Sequence, residues 1–156
     1  MSNIIFRKYQ NKDKEQVKKV VLSAMQDIRP GYSLDSEERN RDLDDIQKQY
    51  KDKGIFWVAV DKGTVIGTVG ILEDSNNIVW LKRLFLLNTY RNKGIGKTLL
   101  YIALEHCSNS QIRKIRAVTS IHAAIAEKML QKNGFKLYKR EKDLLFYEKK
   151  LNKFFV

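Results

Sequence analysis

The sequence predicts an α/β fold: a single domain with a mixed sheet flanked by helices. Two observations predict it. Apolar runs of strand character alternate with segments whose apolar residues recur at helical spacing, in the order β-α-α-β-β-β-α-β-α-β-β. A glycine-rich, cationic turn, Tyr90 to Thr98, also joins the apolar run 78–87 to a helical pattern that starts at Leu99.

Ile4 to Arg7 reads as a short first strand. A helix starts at Asp13, with Gln16 three residues on as in a capping box. Val17, Val20, Val21, Ala24 and Ile28 give it one buried face, and Pro30-Gly31 stops it. A more polar second helix is expected from about Ser36 to Lys51, with Leu43, Ile46 and Tyr50 on one side. Residues 55–60 and 64–72 are strands joined by the hairpin turn Asp61-Lys62-Gly63. Glu73 to Asn77 is a second turn, and Ile78 to Leu87 is the central strand. After the helix that follows it come a strand at 112–119 and a helix at 123–132 ended by Asn133-Gly134. The last two strands are expected at 137–139 and 144–150.

The chain has 156 residues, of which 43% are apolar, enough for one real core. No apolar run approaches the roughly 20 residues needed to cross a bilayer. Residues 1–7 lack the layout of a signal peptide, and Cys107 is the single cysteine, so no internal disulfide framework exists. These features lead to an expected cytoplasmic location without membrane association. Net charge is +12. The lysines are spread along the whole chain, with no zinc-finger spacing and no aromatic-basic signature, which argues against a nucleic-acid partner. A basic mouth would nevertheless steer a polyanionic ligand.

The turn at 90–98 is built as an anion cradle. Glycines let the backbone come close, successive N–H groups converge, and a helix N-terminus adds partial positive charge. It is not a Walker A loop, because one residue, Ile95, separates Gly94 from Gly96. It is not a dinucleotide fingerprint, because Leu99 stands where a third glycine belongs. What remains is Arg-x-x-Gly-x-Gly, Arg91 to Gly96.

The stretch Leu81 to Leu100 resembles the acetyl-CoA-binding motif of the GCN5-related N-acetyltransferases, the GNAT family. Residues 126–130 followed by Asn133-Gly134-Phe135 resemble that family's second signature, and Phe146 to Leu151 its last strand. Matching elements run from about Ile4 to Leu151. The resemblance implies one N-acetyltransferase domain over 1–156, a mixed and mostly antiparallel sheet splayed at its central strands, and CoA entering the gap. It implies direct acetyl transfer from acetyl-CoA to a primary amine of a small molecule or peptide. It also admits a homodimer, and it calls for no metal. The pyrophosphate would meet the backbone of Arg91, Asn92, Lys93, Gly94, Ile95, Gly96, Lys97 and Thr98. The pantetheine arm would pair near Leu84, Phe85 and Leu86. The Leu86 amide, where the central strand is expected to bulge, would hold the thioester oxygen.

Proton transfer is where the chain departs from the family. The second signature often carries a tyrosine where this chain has Leu130. Ala123 replaces a side-chain amide, and Trp80 stands where many relatives place a glutamate. Glu73, His122 and Tyr138 are the candidate substitutes. A solvated turn, a helix start and a half-buried strand are their respective structural readings. His106 and Cys107 are expected to be structural. Tyr32, Asp35, Asp44, Asp45, Trp57 and Trp80 are candidates for the acceptor side, with Asp44 and Asp45 also readable as a solvated acidic face. Two other readings stay open: a CoA- or acyl-CoA-binding regulatory module without catalysis, and a basic nucleic-acid-binding protein.

Overall fold

A computed structural model describes residues 3–36 and 38–151; residues 1–2, 37 and 152–156 of the expected domain lie outside the described residues. The described residues form a seven-stranded sheet in the order β1-β2-β3-β4-β5-β7-β6. Its strands are β1 (Ile4–Lys8), β2 (Gly54–Asp61), β3 (Thr64–Glu73), β4 (Ile78–Leu86), β5 (Lys114–Ser120), β6 (Lys136–Glu141) and β7 (Leu144–Lys150). All neighbouring pairs are antiparallel except β4 with β5. The helices are α1 (Lys14–Ile28), α2 (Ile46–Gln49), α3 (Ile95–Ser108) and α4 (Ala124–Lys132).

Alternation along the strands divides the core in two. On one face Phe56, Val58, Val60 and Val65 meet Val17, Val20 and Val21 of α1, with Leu43, Ile46 and Tyr50. On the other face Trp57, Ala59, Val69, Ile71, Val79 and Leu81 meet Leu99, Leu100 and Ala103 of α3 and Leu130 of α4. The fully buried Leu99 and Leu100 would each cost about 2–5 kcal/mol on truncation to alanine. The tight β2–β3 turn needs two left-handed residues, and Lys62 and Gly63 supply them with φ of 50° and 80°.

Three local expectations are corrected. The first helix begins at Lys14, and Gln16 does not cap it: Val65 N–H donates to Gln16 Oε1 at 2.8 Å, pinning β3 to α1. Asp13 is the residue that reaches back. Its carboxylate accepts from the Gln10 amide at 2.8 Å and from both Nη atoms of Arg7 at 2.7 and 2.9 Å. The expected second helix over 36–51 is instead two 3-10 segments, Leu34–Ser36 and Glu38–Asp44, followed by the single-turn α2. Leu43, Ile46 and Tyr50 are buried as their spacing predicts, because successive short 3-10 and α turns can bury the same residues as one helix. The central strand ends at Leu86, and its bulge lies at Arg83 and Leu84, ahead of Leu86.

Candidate active site

The site follows from where two strands part. β4 and β5 pair at Ile78–Lys114, Val79–Ile115 and Trp80–Arg116, and their pairing stops there. β4 continues to Leu86 and β5 to Ser120, so a wedge opens between them toward their C-terminal ends. β5 stays paired with β7 through Ser120, and β4 stays paired with β3 through Leu86. Each wall of the wedge is therefore held from behind.

The register fixes which backbone groups face the gap. Leu86 lies opposite Gly67, and the Leu87 amide donates to the Ile66 carbonyl at 3.0 Å. That makes Leu86–Gly67 a non-hydrogen-bonded pair, so the Leu86 N–H and C=O point away from β3, into the wedge. One residue earlier, the backbone groups of Phe85 point to β3, and those of Leu84 again face the gap. Of the three residues expected near the pantetheine arm, Leu84 and Leu86 face the gap and Phe85 is turned to Thr68.

The bulge is itself unusual. Arg83 has φ of 54°, a left-handed conformation that costs an arginine about 1–3 kcal/mol and persists where the surroundings enforce it. Buried Thr68 holds its carbonyl, with Oγ1 donating at 2.7 Å. The guanidinium spans to the 38–44 segment: Nη2 donates to Asp42 Oδ1 at 2.6 Å, and Nε to Asp42 Oδ2 at 3.2 Å.

Past Leu86 the chain makes a short 3-10 turn, Asn88–Tyr90, and enters the cradle. Tyr90 Oη donates to Asp61 Oδ2 at 2.6 Å, and that carboxylate keeps the phenol from ionising easily, raising its pKa. Asn92 and Gly94 both take left-handed conformations, with φ of 63° and 80°, so consecutive amides curl round one point. The amides of Ile95, Gly96 and Lys97 open α3 without intrahelical acceptors. The first full helical bond is from the Thr98 amide to the Gly94 carbonyl, 3.0 Å.

The two glycines serve different ends. Gly94 is exposed and nothing lies within 4 Å of a Cβ placed there, so its backbone angle is what requires glycine. Gly96 is buried, and a Cβ would stand 3.3 Å from Met129 Cε and 3.9 Å from Leu86 Cδ2. It lets α4 and β4 close beneath the cradle.

The other expected cradle residues fall as follows. The Ile95 side chain is in the core, which leaves its backbone for a ligand. Thr98 Oγ1 turns back to the Gly94 carbonyl at 2.9 Å. Lys93 and Lys97 are exposed, Lys93 with Nζ 5.5 Å from the Tyr90 ring centre. Arg91 is drawn aside to Asp27 of α1, 3.1 Å away.

The candidate proton carriers are not brought together. Glu73 pairs with Val79 at the far end of β4, roughly 20 Å along the strand from Leu86. Tyr138 is on edge strand β6, beyond β7, edge-on to Phe146 and beneath Arg116. His122 sits just past the end of β5, its side chain 63% exposed and its Nε2 3.7 Å from Asp143. His122 thus follows the C-terminal end of β5, on the side where β4 and β5 have parted. Leu130 and Ala123 are buried at 4% and 7% exposure. His106 packs edge-on to Trp57, and burial with nearby Lys8 lowers its pKa.

The acceptor-side candidates also separate. Trp57 is buried on the α3 face. Asp44 pairs with Lys18, and Asp45 caps α2 by accepting from the Lys48 amide. The Trp80 indole donates to Asp74 at 3.2 Å. Tyr32 is buried, its hydroxyl bonded by Asn40 at 2.8 Å. Asp35 lines an open polar cleft between α1 and the 32–44 segment. Sequence reasoning missed Arg83, Asn40 and Asp42. The signal for Arg83 was the doublet Lys82-Arg83, which breaks the period-2 pattern of the central strand.

Among the described residues no cluster of His, Cys, Asp or Glu could hold a metal ion. No helix among them is long and apolar enough to cross a membrane.

A family model described as Acetyltransferase (GNAT) family matches residues 21–135. The chain is 36% identical over 98 residues to N-acetylaspartate synthetase of Xenopus tropicalis, a match covering 61% of this chain and 36% of that protein. It therefore spans about a third of that relative's length. Among solved structures, a GNAT-family acetyltransferase of Staphylococcus aureus Mu50 superposes with a TM-score of 0.87 at 27% identity, covering 96% of this chain and all of that one. The PaiA N-acetyltransferase of Thermoplasma acidophilum, in complex with coenzyme A, superposes at 0.81 with 25% identity, covering 96% and 99%.

Proposed function

The chain belongs to the GNAT acetyltransferase family, and from that premise we propose that it is an acetyl-CoA-dependent N-acetyltransferase that transfers directly to a primary amine. One observation carries the reading: β4 and β5 part after Trp80–Arg116, and the wedge runs from the Leu86 amide to the open end of α3. A ligand with an amide-bearing arm and a diphosphate fits that layout. The arm takes the unpaired edge at Leu84 and Leu86 as an added strand would. The diphosphate takes the curled amides of residues 92–97, with Lys93 and Lys97 beside it.

Bound acetyl-CoA would supply the acetyl group as an activated thioester. The Leu86 N–H, fixed on a strand held from behind, would donate to the thioester oxygen as it gains charge. Fixing both partners in one wedge removes much of the entropic barrier. An alkylammonium of pKa about 10 must still shed a proton. Of the three candidates His122 is the one at the C-terminal end of β5, where the wedge is open, and it is in contact with solvent, so we assign it that task.

The test is thiol release from acetyl-CoA with a panel of primary amines. Steady amine-dependent release is expected. His122→Ala should lower kcat about 100-fold, whereas Glu73→Gln and Tyr138→Phe should stay near the parent rate. CoA binding without turnover of any amine would favour the regulatory-module reading. Unchanged kcat in His122→Ala would leave water as the proton acceptor.

A further inference from the structure

The strained arginine in β4 has a partner set that a solvated strand residue does not need. Its guanidinium holds Asp42 through Nη2 and Nε, and Nη2 also donates to Asn40 Oδ1 at 3.1 Å. The Arg83 and Asp42 side chains are 13% and 22% exposed. Asn40 in turn donates to Tyr32 Oη at 2.8 Å and to the Leu34 carbonyl at 3.1 Å. Tyr50 Oη donates to Asp42 Oδ2 at 3.3 Å. Burial, followed by the Asp42 charge, pushes the Tyr50 phenol far up, so it stays a donor. Between Tyr32 and Tyr50 the described residues form two short 3-10 segments and one turn of α-helix. These bonds gather that stretch around one side chain from the sheet.

That side chain belongs to the residue that sets the bulge. Its backbone is fixed by Thr68 on one side, and its fork by Asp42 and Asn40 on the other. Glycine or asparagine satisfies a left-handed φ at less cost. Arginine adds a planar fork matched to a carboxylate. The next residues, Leu84 and Leu86, present the gap-facing amides. We propose that Arg83 is a positioning residue that couples the ordering of the 32–50 segment to the orientation of the Leu84 and Leu86 amides. Contact with an acceptor on the 32–50 segment would then tighten the wedge, and loosening that segment would relax it. This catalytic consequence rests on the acetyl-transfer reading; the mechanical coupling does not.

The experiment is hydrogen exchange read by mass spectrometry on the full chain, with CoA affinity by calorimetry alongside. Asp42→Asn removes the carboxylate charge at constant shape. Arg83→Gly keeps the bulge angle and removes the fork. Asp44→Asn breaks the exposed Lys18 pair on the same segment and is the control. The first two variants should exchange residues 85–87 at least tenfold faster than the parent, together with 32–50, and should bind CoA at least fivefold more weakly. Asp44→Asn should match the parent at 85–87. Parental exchange at 85–87 in both Asp42→Asn and Arg83→Gly would overturn the proposal, as would equal acceleration in Asp44→Asn. If the parent chain binds no CoA, the acetyl-transfer reading fails, and the exchange pattern still decides the coupling.

Discussion

Replacing Gly94 by glutamate and by glutamine separates the cradle's charge from its shape. Both side chains demand φ near 80° at an exposed position with open space around the Cβ. Both therefore pay the same left-handed penalty, about 1–2 kcal/mol, or roughly 2–8 °C in Tm for a chain of this size. Beyond that the two differ only in charge. A carboxylate within about 4 Å of one phosphate charge repels it by about 1 kcal/mol in bulk water and about 4 kcal/mol near a protein surface. The glutamate variant should thus bind CoA roughly 5- to 700-fold more weakly than the glutamine variant at low salt. The difference should shrink toward 1 M salt, where the screening length falls to about 3 Å. Calorimetry with CoA at two ionic strengths, with thermal unfolding alongside, measures both terms. Equal CoA affinity for the two variants at low salt would refute the diphosphate assignment. Gly96 cannot serve here: it is buried against Met129, so a longer side chain would mix packing loss with charge.

Two further outcomes follow from burial. Leu130→Tyr, the change that restores the family's usual tyrosine, should cost about 1–3 kcal/mol by overpacking and bring no rate gain, because Leu130 is packed into the α3–α4 core; denaturant unfolding and thiol release check both. Asp13→Asn should cost about 3 kcal/mol, since it leaves a half-buried Arg7 without its carboxylate. Burial alone would raise the Asp13 carboxyl, but the Arg7 hydrogen bonds and charge and the Gln10 amide outweigh it and hold the pKa below the ordinary value. The stabilisation is present above about pH 4 and fades as pH falls through the lowered folded pKa, so the variant should lose that part of the acid limb in pH-dependent unfolding.

What the sequence showed plainly was what is local. A left-handed glycine before a helical period gives the cradle, because the angle, the missing Cβ and the helix start lie within eight residues. The Lys62-Gly63 hairpin is legible for the same reason. The 32–50 segment was not. Its apolar residues recur at helical spacing, yet the polar ones between them, Asn40 and Asp42, are held by Arg83 from a strand far along the chain. Spacing alone cannot tell one helix face from a series of short 3-10 and α turns that buries the same three residues. Gln16 misled likewise: its position fits a capping box, but its partner is the Val65 amide, 49 residues away.

The same division of local and distant applies to the chemistry. The wedge and its amides need only backbone, so apolar residues such as Leu84 and Leu86 can line them without weakening the function. A fixed proton acceptor needs a side chain, and the three positions compared with the family hold Leu130, Ala123 and Trp80 here. Leu130 and Ala123 are not polar groups waiting in the gap; they are core residues, and restoring polarity there would undo packing. Trp80 faces away from the α3 core and bonds Asp74 in the turn before β4, at the narrow end of the wedge. The proposed proton acceptor lies at the wide end, where β5 gives way to α4. His122 and Asp143 meet there at a solvent-exposed junction of two loops. A base on such loops is less fixed than one on a strand. On the proposed reading, the demand for precise orientation falls on the β4 amides and on the Arg83 clamp beside them.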